Sequence, residues 1–128
     1  MDTPPDTAVM LKVAEQTRAA FPAPFANLAK EVRIRVEDWP DDEMLDEQGM
    51  ESAYELTGLY DGVPLTERSV AAPAMPPTVW LFRRPILDEW VEREISWKEL
   101  VAHVTVHEFA HHFGWSDDDI AAIDRWWE

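Results

Sequence analysis

The run His107-Glu108-Phe109-Ala110-His111-His112-Phe113-Gly114 brings two imidazoles and a carboxylate together at spacings that suit a single metal ion. On a helix turning about 100° per residue, His107 and His111 project one turn apart from the same face. Imidazole nitrogens bind Zn²⁺ at roughly 2.0 to 2.1 Å, so rings four positions apart can meet one ion without bending the backbone. Glu108 then stands beside the ion rather than on it, placed to take a proton from water as a general base. The competing reading is a buried helix whose histidines are satisfied by core hydrogen bonds, since unpaired rings in so apolar a run cost free energy. Two His at four-residue spacing, with Glu directly after the first, favour the metal.

A catalytic zinc site keeps three protein ligands and one open position, so a third ligand is required. Gly114 falls where the helix should end and can take the left-handed conformation that turns the chain sharply. Beyond it, Trp115-Ser116-Asp117-Asp118-Asp119-Ile120 reads as a helix start, with Ser116 as N-cap and three carboxylates complementing the dipole. In that final helix Ile120, Ile123 and Trp127 form the inward stripe. Asp118 points away from this stripe, whereas Asp117 and Asp119 flank it. Asp117, three residues after Gly114, is the preferred third ligand, with Asp119 and Asp124 in reserve.

The segment from His107 to Asp117 resembles the zinc signature of the zincin metallopeptidases, in the metzincin-like variant that ends in Asp. More of the chain, through Val32-Arg33-Ile34-Arg35-Val36, Leu56-Thr57-Gly58-Leu59-Tyr60-Asp61-Gly62 and Val79-Trp80-Leu81-Phe82-Arg83, resembles the small bacterial zincin-like proteins called minimal metallopeptidases. The resemblance implies an α+β zincin-like core, Zn²⁺ as the metal, and hydrolysis of peptide bonds in a peptide or protein substrate. It also implies His107, His111 and Asp117 as ligands and Glu108 as base. No methionine follows Met75, so the Met-containing turn beneath the metal in metzincins has no counterpart. The alternative function is a zincin-like binding module without turnover.

Other elements must hold this helix in place. Ala102, Val106, Phe109 and Phe113 make its apolar stripe, opposite His103, His107 and His111. Ser96 is its expected N-cap, with Glu99 completing a capping box. Met10, Val13, Ala14, Thr17 and Phe21 recur at helical spacing, predicting a helix from Thr7 to Phe21 that Pro22 and Pro24 end. Phe25 to Lys30 reads as a connector. Val32, Ile34 and Val36 alternate with Arg33 and Arg35 as in a strand. The acidic stretch from Asp38 to Ser52 reads as an exposed loop, since it lacks the regular alternation of a Ca²⁺-binding loop. Tyr54 to Tyr60 and Val63 to Val70 read as strands, and Asp61-Gly62 between them as a hairpin turn. After the Pro-rich connector Ala71 to Pro77, Thr78 to Phe82 reads as a strand and Pro85 as a helix start. Either this strand or the hairpin is expected to offer an edge to substrate. Most of the seven tryptophans are expected to pack in the core. Trp115 is placed to wall the metal pocket, and His103 and His112 are expected to make local hydrogen bonds.

At 128 residues the chain is expected to form one domain. It has no cysteine, so any metal is held by His and carboxylates. A formal charge of −15 argues against nucleic acid and anionic membrane surfaces, whose affinity rests on Lys and Arg. The acidic, Pro-bearing N-terminus is no secretory signal, and no apolar run is long enough to span a bilayer. A cytoplasmic protein is expected.

Overall fold

The structure, a computed structural model, describes residues 4–65 and 76–115. Their elements in chain order are α1 (Thr7–Ala19), α2 (Phe25–Leu28), β1 (Arg33–Glu37), α3 (Asp42–Gln48), β2 (Gly58–Asp61), β3 (Thr78–Phe82), α4 (Arg83–Glu92) and α5 (Trp97–His112). Short 3₁₀ turns at Ala29–Glu31 and Ala53–Glu55 connect them. This is the α+β architecture that the sequence predicts.

α1 begins where the Asp6 carboxylate accepts a hydrogen bond from Val9 N at 2.9 Å, the normal service of an N-cap. It ends at Ala19, short of Phe21, but Phe21 still buries beside Met10 and Ala14. Arg18 Nη1 donates to Val32 O at 2.7 Å, tying the end of α1 to the approach of β1.

The sheet has strand order β1-β3-β2. β1 runs parallel to β3, with Ile34 opposite Val79 and Val36 opposite Leu81. β2 runs antiparallel to β3, with Gly58 opposite Leu81 and Tyr60 opposite Val79. Because side chains alternate along a strand, these pairs share one face. Val79 and Leu81 are fully buried there among Met10, Ala14, Leu100, Val101, Val104 and Phe109, so α1 and α5 cover this side. The other face carries Leu59, Trp80 and Phe82 and is covered by Met44 and Leu45 of α3. Arg35 reaches the Trp80 ring on that side, 5.1 Å from its centroid.

Two expectations need correction. The strand expected over Tyr54 to Tyr60 is confined to Gly58–Asp61, with a 3₁₀ turn at Ala53–Glu55; its antiparallel partner is β3, and Val63–Leu65 lie in no strand; residues 66–70 of the expected hairpin arm lie outside the described residues. Gly62 does not take positive φ, so the turn chemistry that motivated the hairpin is not used. Gly62 serves close approach instead: a Cβ there would meet Pro77 Cβ and Tyr60 Oη, each at 2.8 Å. Burial of Val79 and Leu81 between two strands outweighs the local turn signal.

The acidic stretch is not a plain loop, because Asp42–Gln48 is helical. Asp41 caps it, its carboxylate accepting from Met44 N at 2.8 Å. Gly49 ends it at φ 67°, with Gly49 N donating to Asp46 O and Met50 N to Leu45 O. This pairing satisfies the last carbonyls of a helix. Charge density hid the cap residues and the apolar pair Met44-Leu45. The helix expected after Ser116 lies outside the described residues. Among the described residues, no helix is long and apolar enough to cross a membrane.

Candidate metal centre

α5 is held at both ends and along its length. Ser96 Oγ accepts from Glu99 N at 3.1 Å, as expected of the N-cap. Leu100, Val101, Phe109 and Ala110 are buried, and Thr105 Oγ1 donates to Val101 O at 2.7 Å within the helix. Phe21 meets Phe109 edge to face at 5.3 Å, and Phe25 meets Phe113 at 5.0 Å. The expected stripe is therefore real, with Val106, Phe109 and Phe113 buried and Ala102 half-buried.

The helix closes at Gly114, which takes φ 84°. Gly114 N donates to His111 O and Trp115 N to Ala110 O, both at 3.0 Å. Those two bonds form a Schellman motif, which lets only glycine sit comfortably at the turning position. Trp115 packs edge to face on Phe25 at 5.0 Å and against Phe113 at 5.6 Å. It belongs to the aromatic cluster on the buried side and does not wall the pocket as expected.

His107, Glu108 and His111 are all half-buried and open to one cleft. The two imidazole centroids lie 5.0 Å apart, with planes at 77°. At a metal–nitrogen distance of about 2.05 Å and a tetrahedral angle, two coordinating rings have centroids roughly 5.2 Å apart. The separation of the rings leaves room for a shared ion between them. Among the described residues, no group of three or more His, Asp and Glu side chains forms a complete metal site. Asp117, with its reserves Asp119 and Asp124, lies outside the described residues.

The cleft has two halves that share Met50, Leu56, Gly58, His107 and Glu108. One half, about 310 Å³, adds Thr57, His103, Val104 and the charged groups of Glu55, Glu89 and Arg93. Arg93 Nη1 lies 3.1 Å from Glu89 Oε2 within it. The other half, about 540 Å³, adds His111 with Leu59 and Tyr60, and Gln48 completes its rim. α3 thus contributes the end of its helix to the cleft.

His103 faces the first half of this cleft, one turn before His107. His112 has a different fate from its neighbour. It is fully buried, with Nδ1 2.8 Å from Tyr60 Oη and Nε2 3.5 Å from Glu31 Oε1. Its Nδ1 hydrogen bond goes to a partner 52 residues away in the chain, not to the local group that was expected. The roles of Gly58, Tyr60 and Met50 escape sequence reasoning, and the one available signal is a glycine inside a strand run, which marks close approach.

Comparison with known proteins gives one positive result. A family model described as zincin-like metallopeptidase matches residues 29–127, from the turn before β1 through the histidine motif and beyond it. No curated protein matches the chain. The matched span takes in the whole sheet together with the helix that carries His107, Glu108 and His111, and the chain belongs to the zincin-like metallopeptidase family.

Proposed function

We propose that this protein is a zinc-dependent peptidase that hydrolyses peptide bonds in an extended peptide or protein substrate. The observation that carries this reading is the 5.0 Å spacing of the His107 and His111 rings beside Glu108, at the junction of both halves of the cleft. His107 and His111 would hold the ion, with Asp117 as third ligand in the metzincin-like manner. When bound, zinc supplies a Lewis acid that polarises the scissile carbonyl and makes water more acidic.

The remaining work falls to the chain's own side chains. Glu108 removes a proton from the attacking water and delivers it to the leaving amine nitrogen. β2 is an edge strand whose sheet partner among the described residues is β3 alone. An extended peptide pairing with that edge would lie across the motif, with side chains entering the half with Glu89 and Arg93 on one side and the half with Leu59 and Tyr60 on the other.

The test is zinc content after purification without chelator, together with cleavage of a broad peptide library by wild type and Glu108→Gln. Stoichiometric zinc in both, with cleavage reduced about 10²- to 10⁴-fold in Glu108→Gln, is expected. Zinc without turnover in the wild type would instead identify an inactive zincin-like binding module.

A further inference from the structure

Gly58 opens β2 at the junction of the two halves of the cleft. Glycine in a strand is costly, by roughly 0.5 to 1 kcal/mol relative to alanine. Its backbone does not explain the choice, because Gly58 is not among the glycines with positive φ. The contacts do. A Cβ built on Gly58 would lie 2.7 Å from Val104 Cγ1, 3.1 Å from Glu108 Cγ and 3.2 Å from Trp80 O.

These three atoms surround the position from different elements. Val104 and Glu108 are one turn apart on α5, and Trp80 lies on β3, so a methyl group would be pressed between helix and sheet. Val104 is buried and β-branched, and such a side chain has little rotamer freedom on a helix. The Trp80 carbonyl is part of the sheet backbone. Glu108 is the neighbour with most freedom to move.

We propose that Gly58 is a positioning residue for Glu108. By carrying no side chain, it lets the edge of the sheet lie directly on the Glu108 side chain and fixes where that carboxylate points into the cleft. This role rests on the peptidase reading for its catalytic consequence, but its geometric content is independent. The three atoms nearest to that Cβ belong to Val104, Glu108 and Trp80 and none to His107 or His111, so zinc binding should survive its substitution.

The test compares wild type, Gly58→Ala and the double variant Gly58→Ala with Val104→Ala. The double variant removes the nearest collision, at 2.7 Å, and leaves the 3.1 Å approach to Glu108. Gly58→Ala is expected to keep its zinc and lower kcat by roughly ten- to a hundredfold, the scale of a misplaced catalytic group. The double variant should recover melting temperature while kcat stays low, and should carry the test if Gly58→Ala alone does not fold. Return of kcat in step with melting temperature would overturn the proposal and leave Gly58 a packing residue. Crystal structures of the zinc-loaded wild type and double variant decide the geometry without reference to turnover. A displaced Glu108 carboxylate supports the proposal, and an unmoved one refutes it. A wild type that binds zinc but cleaves nothing sinks the peptidase reading and leaves this structural comparison intact.

Discussion

His111 and His112 are adjacent, yet one opens to the cleft and the other is wholly enclosed. A helix turns them about 100° apart, which is enough to send one ring to the cleft and the other into the core. The buried ring needs polar company, and Tyr60 Oη supplies it at 2.8 Å from Nδ1 while also donating to Val63 O at 3.2 Å. Tyr60→Phe should therefore destabilise the fold by about 1 to 2 kcal/mol, read as a lower urea midpoint. Zinc content should not change, because the hydroxyl supports His112 and not the proposed ligand His111. Loss of zinc at unchanged stability would contradict that division. At this scale the motif was fully legible, since two His and a Glu within one turn need no information from the rest of the chain. The partners of His112 were not, because Glu31 and Tyr60 come from distant parts of the sequence.

Among elements, the helices that end in glycine show how local chemistry sets up the cleft. Gly49 and Gly114 both take positive φ, at 67° and 84°, and both close their helices with paired carbonyls. A side chain in that conformation costs about 1 kcal/mol or somewhat more. Gly49→Ala and Gly114→Ala should both lower the melting temperature by that mechanism, and a Cβ at Gly49 would meet nothing within 4 Å. Only Gly114 lies between the histidines and the proposed ligand Asp117, so only Gly114→Ala should also weaken zinc binding in a metal titration. Equal zinc affinity in the two variants would remove the case for Asp117. Helix periodicity announced α1 and α5, alternation announced β1, and a β-branched and aromatic run announced β3. α3 was missed because its carboxylates were read as solvated chain, although Asp41 and Gly49 were its cap residues. The partner of β2 was missed because strand pairing is decided by burial across the sheet, and the turn at Asp61-Gly62 gave only a local argument.

For the molecule as a whole, the decisive arrangement is a helix caught between two layers. α1 and the aromatic cluster grip one side of α5, and the sheet edge at β2 grips another, which leaves His103, His107 and His111 facing the cleft. The chain carries 26 acidic and 11 basic residues, and its charge repels itself in the folded state. A divalent cation, if bound at the proposed site, would offset part of that repulsion and stabilise the fold by mass action. The family match extends past the described residues to residue 127, the region in which Asp117 is proposed to complete the site. The most direct test of the whole account is a crystal structure of protein purified without chelator, with anomalous data collected across the zinc edge. The account predicts one zinc peak within about 2.0 to 2.2 Å of a ring nitrogen from both His107 and His111, and of a carboxylate oxygen from Asp117. Zinc-replete protein with no peak between those two rings would contradict it.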